Sequence, residues 1–264
     1  MLTRALRVFG VDIGVQHLAR RDNPKGFFEQ IDFVHLNEAL FEALGLHWDS
    51  LETPSFAVFS KAACAQEFVR KARAFLRDFC HEGVVGLKDP RLCRLLPFWL
   101  PLFSLEGLAV SCLIALRAPD HIAASLAKRD GLTLQHASDL WTLYMGEAIL
   151  MSQGLPRLLL CYDSFFENAH DELERIASFL KLPILPEEES LFYSAFLDHS
   201  LRHHTSSSQG YCEEARHARA FYTFLMPLMK EPDARLLESP SMEGKIMRLL
   251  QRVQNNRVRR QSLA

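Results

Sequence analysis

The stretch Gly107–Gly131, GLAVSCLIALRAPDHIAASLAKRDG, decides how the rest of the chain is read. It opens as a compact apolar run that ends abruptly at Arg117. Continuous apolarity without alternation suits a parallel strand covered on both faces. Pro119 then fits the first turn of a helix, and DHIAASLAKRD carries a helical pattern. Two more runs have the same form, GVVGLKD (83–89) and PRLLLCYDS (156–164). Between and after the three lie RLCRLLPFWLPLF, HASDLWTLYMGEAILMSQG and the amphipathic FENAHDELERIASFLKL. Strand, helix, strand, helix, strand is the βαβ signature, and it predicts a helix-rich α/β fold with a central parallel sheet flanked by helices on both faces.

Upstream, EQIDFVHLNEALFEALG and KAACAQEFVRKARAFLRDFC read as amphipathic helices. At the start, Leu2, Ala5, Leu6 and Phe9 recur at helical spacing, and Gly10 follows where a C-cap glycine belongs. No internal repeat, low-complexity tract or linker composition interrupts the chain, so 1–264 reads as a single domain. Residues 242–264 read as a basic C-terminal helix or tail, a solvated face or one that meets an anion or partner.

A net charge of −2 argues against a generic nucleic-acid binder, which would carry a strong basic excess. The longest apolar runs are too short, or too broken by proline, to span a membrane. The six cysteines are scattered with no CxxC pair and sit mostly in apolar contexts, as small buried hydrophobes of a reducing compartment do. No secretory signal is visible, and the expected location is the cytoplasm.

In an open parallel sheet, ligands bind outside the carboxyl ends of the strands. Those ends carry Lys88-Asp89-Pro90-Arg91, Arg117-Ala118-Pro119-Asp120 and Tyr162-Asp163-Ser164. Cations, carboxylates and a tyrosine on one edge suit a phosphorylated, aromatic ligand. Arg117 can fork onto a phosphate, and Ser125, about two turns into the following helix, can add a hydroxyl from the same face. The plainer readings are an arginine capping a sheet edge, a packed serine, a Lys88–Asp89 or Arg91–Asp89 ion pair, and a half-buried Tyr162 ring. For Glu29 the plain reading is a first-turn carboxylate on the helix beginning near Gln30. His199 and His203 lie four apart, a spacing that can hold a metal, but no further ligand completes such a set and no metal is expected.

RAPDHIAASLAKRDG after an apolar strand resembles the 3'-phosphate-binding segment of bacterial sulfotransferases that use 3'-phosphoadenosine 5'-phosphosulfate. GLKDPRL is similar to that family's strand end bearing the catalytic lysine, and LCYDSFFEN to the segment whose tyrosine approaches the adenine. DNPKGFFEQIDFVHLNEALFEALGLHWDS is similar to its substrate-side segment, and FLDHSLRHH to a C-terminal one. The likeness covers roughly residues 1 to 205, in order. It implies a P-loop NTPase-like sulfotransferase architecture, with that nucleotide as co-substrate and a small molecule, carbohydrate or other hydroxyl or amine as acceptor.

Residue by residue, the resemblance implies that Arg117 and Ser125 grip the 3'-phosphate, that Tyr162 meets the adenine and that Arg202 contacts an anion from a closing loop. Lys88 would stabilise charge on the transferring sulfuryl group or the leaving phosphate. Glu29 and then Asp89 are the candidates for the base, since Pro90 stands where some relatives carry a histidine. The family's glycine-rich GxxRSGTS loop, which would precede TRALRVFGVDIG, is not in this sequence, so the first strand and phosphate loop are expected to be missing. A non-catalytic nucleotide- or partner-binding member of the same fold is therefore the competing expectation. A P-loop kinase relative is the third, against which the lack of GxxxxGK[ST] counts.

Overall fold

The structure is a computed structural model that describes residues 1–14, 28–61, 63–197, 215–230 and 239–261. Along the chain run α1 (Leu2–Ala5), α2 (Ile31–Ala43), α3 (Phe56–Phe59), α4 (Ala65–Phe79), α5 (Leu92–Leu105), β1 (Cys112–Leu116), α6 (Pro119–Asp130) and α7 (Leu134–Met151). Then follow β2 (Arg157–Cys161), α8 (Ser164–Glu167), α9 (Ala169–Leu180), α10 (Pro186–Leu191), α11 (Arg216–Leu225) and α12 (Pro240–Gln261). The chain forms two compact units, each built from separated stretches. Met1–Trp48, Pro54–Val110 and Ala169–Asp198 make the first, and Asp49–Thr53, Ser111–Asn168 and His199–Ala264 the second.

The first unit is organised by aromatic packing. Trp99 is fully buried on α5, with ring centroids of Phe33 at 4.8 Å, Phe98 at 5.4 Å and Phe103 at 5.8 Å. These rings join Leu40, Leu76 and Leu95 in one core. α5 continues through Pro97 and Pro101, each of which removes a helix hydrogen bond. The apolar face of Leu95, Leu96, Trp99, Leu102 and Phe103 outweighs that loss, because burial of such side chains stabilises by about 1.5–3 kcal/mol each.

The helical opening ends as the sequence predicts, in a 3-10 turn Leu6–Phe9 closed by Gly10 at φ +72°. The stretch 83–89 behaves differently from the strand it was expected to be. Among the described residues it makes a single parallel bridge, Asp12 with Val85, in which Asp12 N donates to Val84 O at 2.9 Å and Gly86 N donates to Asp12 O at 2.7 Å. The partner segment is too short for more: Val11–Ile13 lies between Gly10 and Gly14, both left-handed, and Asp12 Oδ1 turns back to accept from Gly14 N at 2.8 Å. A side chain at Gly86 would press on the Leu6 and Ile13 side chains at 3.0 and 3.1 Å, a crowding that glycine avoids.

In the second unit β1 and β2 pair in parallel, Cys112 opposite Arg157 through Leu116 opposite Cys161. The two strands are the sheet among the described residues, with α6 and α7 between them in sequence. Pro119 sits in the first turn of α6 and Gly131, at φ +71°, ends it. Thr133 caps α7 by accepting from His136 N at 3.2 Å. The core joins Ile114, Leu116 and Leu159 of the strands to Trp141, Met145 and Ile149 of α7, Phe221 of α11 and Ile246 of α12.

The basic C-terminal segment is a packed helix rather than a loose tail. Met242, Ile246 and Val253 are buried, and Gly146 of α7 leaves the notch that Leu250 and Ile246 fill. Gln254 donates to Leu51 O and Arg257 pairs with Glu52. Lys245 Nζ rests 4.6 Å from the Phe224 ring centroid, while Arg248 and Arg252 face solvent.

Candidate functional site

The candidate residues fall into two groups, one in each unit. In the second unit they gather where β1 and β2 end. Tyr162 N donates to Leu116 O at 2.8 Å, so the pairing runs one residue past the strands and puts Arg117 and Tyr162 at neighbouring ends. Trp141 Nε1 donates to Arg117 O at 3.1 Å, which holds the strand exit from the side of α7. The Arg117 guanidinium carbon then lies 4.6 Å from the Tyr162 ring centroid, a cation–π contact. Phe166 supports that ring edge-on at 5.5 Å.

Arg117 Nε is buried and has no hydrogen-bond partner among the described residues. A buried donor left unmade is unfavourable, so this end of the guanidinium has room for an acceptor that the described residues do not supply. The N-terminus of α6 begins two residues later, and its cap residue Ala118 offers no side-chain bond to the first-turn N–H groups. Ser125 is half-buried on the same helix. Asp120, in the first turn of α6, is gripped bidentately by Arg219 of α11: Nε donates to Oδ2 at 2.7 Å and Nη2 to Oδ1 at 2.6 Å. Burial pushes the Tyr222 phenol up to about 12, helped by Cys161 and Asp163.

In the first unit Lys88 pairs with Glu29. Glu29 is nearly buried, and its approach is set by Phe28, whose φ of +55° is unusual for a bulky residue. The Phe28 ring meets Phe196 edge-on at 5.2 Å, and Gln30 caps α2 by accepting from Phe33 N at 2.8 Å. Two restraints on either side of Glu29 thus aim its carboxylate.

Asp89 is buried and fully engaged. Its Oδ1 accepts from Arg91 N at 2.8 Å and Arg91 Nε at 3.0 Å, and its Oδ2 accepts from Asn37 Nδ2 at 3.1 Å. Asn37 Oδ1 in turn accepts from Trp99 Nε1 at 2.8 Å. Arg91 reaches on to Glu38 at 3.0 Å. Burial opposes charge on Arg91, yet Asp89 and Glu38 hold its pKa above the usual value. The Arg91–Asp89 ion pair is one of the plain alternatives weighed from the sequence. Of the two base candidates, Glu29 is the one aimed at Lys88, whereas Asp89 serves the turn.

Arg202, His199 and His203 lie outside the described residues. Among the described residues no group of three His, Cys, Asp or Glu is placed to hold a metal ion, and no helix is long and apolar enough to cross a membrane. Sequence reasoning did not single out Asn37, Trp99 or Arg219. Asn37 carried a usable signal, as a polar residue on the apolar α2 stripe of Phe33, Leu40 and Phe41. Arg219 carried none, since its partner is 99 residues away. Compared with known protein families, characterised proteins and solved structures, the chain matches none.

Proposed function

We propose that the chain is a sulfotransferase-like enzyme that binds 3'-phosphoadenosine 5'-phosphosulfate and passes its sulfuryl group to an acceptor hydroxyl or amine. The observation that carries this reading is Arg117, with its guanidinium over the Tyr162 ring and its buried Nε unpartnered among the described residues, at the carboxyl end of a parallel strand. A phosphate supplies the acceptor that Nε lacks, and a purine extends the stack that Tyr162 begins. Ser125 adds a hydroxyl to the same phosphate. In this reading the paired strands belong to the central, helix-flanked sheet of the family, and Arg202 contributes a further anion contact.

Lys88 is assigned to the charge that develops on the sulfuryl group or its leaving phosphate, where a fixed cation lowers the barrier. Glu29, aimed at Lys88, takes the acceptor proton or holds the Lys88 side chain in place until the nucleotide arrives. The Lys88–Glu29 pair also supports the second reading, a non-catalytic nucleotide-binding member, because a lysine satisfied by its own carboxylate needs no sulfuryl group.

Calorimetric titration with adenosine 3',5'-bisphosphate and, separately, with ADP tests the reading. The bisphosphate is expected to bind, ADP more weakly, and Arg117→Ala to lose about 10–100-fold in affinity, the scale of one charge-assisted hydrogen-bond pair. Equal affinity for the two ligands, or an Arg117→Ala protein that binds as well as wild type, would sink it. Turnover with acceptor panels then separates the readings: Lys88→Ala should abolish transfer and spare bisphosphate binding if the chain is an enzyme. A wild-type chain that binds but never transfers is the non-catalytic member.

A further inference from the structure

We infer that Arg219 is a positioning residue for the anion site at Arg117, acting through Asp120; the inference rests on the nucleotide reading above. Asp120 is three residues past Arg117 and in the first turn of α6. A carboxylate there suits the helix dipole, but it occupies the end of the helix where an incoming phosphate would gain most. Left uncompensated, it would repel that phosphate at short range.

Arg219 removes the conflict. Its two nitrogens take both Asp120 oxygens, at 2.7 and 2.6 Å, so the carboxylate is turned onto the guanidinium and its charge is cancelled. The side chains are 23% and 40% exposed, and ion pairs exposed to that degree add little to stability. A fork–fork pair spanning 99 residues is therefore better explained by what it does to the local field. The helix that carries Arg219 is itself tied to the strand exit. Phe221 and Tyr222 of α11 pack edge-on against Trp141 at 6.0 and 6.3 Å, and Trp141 is the residue that holds Arg117 O. Arg219 thus stands on an element registered to the anion site.

A double-mutant cycle read by bisphosphate affinity tests the role. R219Q should weaken adenosine 3',5'-bisphosphate binding about tenfold at low salt, with a smaller loss as salt screens the exposed carboxylate. D120N/R219Q should return to within about twofold of wild type, because the repelling charge has gone with its partner. D120N alone should bind at least as tightly as wild type, since it removes the repelling carboxylate. That variant keeps the test decisive should R219Q fail to fold. The role of Arg219 is overturned if R219Q binds as wild type, if the double variant is no better than R219Q, or if D120N weakens binding. A wild-type protein that binds no bisphosphate overturns both this inference and the reading it rests on, whereas normal wild-type binding with an unaffected R219Q overturns the inference alone.

Discussion

At the Asp89 turn each carboxylate oxygen has its donors: Arg91 on one side, Asn37 on the other, and Trp99 behind Asn37. At the end of β1, Arg117 lies on an aromatic ring with its Nε buried and unpartnered among the described residues. Both places combine buried polar atoms with aromatic side chains at a position where the sequence predicts a strand end. One is closed on itself and the other is left open. A satisfied buried network fixes a unique local structure, whereas an open buried donor is retained at some expense to stability. The Asp89 turn therefore reads as architecture, and the binding role proposed for the Arg117 end is what the comparison puts to the test.

The largest expected effect breaks the closed side. Trp99→Ala removes a fully buried indole and the donor to Asn37, and should lower stability by about 3–5 kcal/mol in urea titration of the whole chain. Arg117→Ala is the counterpart and should cost only about 1 kcal/mol, since among the described residues no carboxylate holds the guanidinium and its contact is the Tyr162 ring. Equal losses in the two variants would erase the distinction. A smaller effect isolates the polar network from the packing. Asn37→Ala leaves Trp99 Nε1 and Asp89 Oδ2 each short of the partner seen here, for a loss of about 1–3 kcal/mol. An Asn37→Ala protein as stable as wild type would show that the network contributes nothing beyond the Trp99 core.

The elements were readable where a local pattern carried them. The Gly10 cap, Pro119 at the start of α6 and the apolar runs of β1 and β2 are written within a few residues, and each forms where those residues place it. The stretch 83–89 was misleading because its apolar residues are not buried as those of a core strand are: Val84 is exposed, and among the described residues the stretch makes one bridge, to Asp12. At the site, Arg117 and Tyr162 were legible as strand ends, but the stacking between them was not. Asp89 looked available because its neighbours in sequence are Lys88 and Arg91, while the residue that completes its shell, Asn37, comes from α2. The Asp120–Arg219 pair was beyond sequence reasoning, since nothing local ties residue 120 to residue 219.

Thiol chemistry sharpens the contrast inside the first unit. Cys64 is exposed, whereas burial pushes the Cys80 thiol up to about 11. The thiolate is the reactive form, so at pH 8 Cys64 should alkylate with iodoacetamide well before Cys80, as read by peptide mass mapping over time. Matching rates would mean that the end of α4 opens to solvent.

The smallest effect concerns the strand end from the side of α11. Burial, with Cys161 and Asp163 adding to it, holds the Tyr222 phenol neutral up to about 12. In the unfolded chain the same phenol ionises near its ordinary value of about 10. The folded form therefore keeps its proton longer than the unfolded form, and the resulting stability is complete below about pH 10 and disappears as pH rises towards 12. Tyr222 is half-exposed, so solvent screening keeps the contribution small. Urea midpoints of wild type and Tyr222→Phe at pH 9 and pH 11.5 measure it: the wild-type midpoint should fall more between the two conditions than that of the variant. Parallel falls would mean that the ring at position 222 meets water in solution. The negative neighbours would then be screened, and the strand end beside Arg117 would be more open than the packing of Trp141, Phe221 and Tyr222 implies.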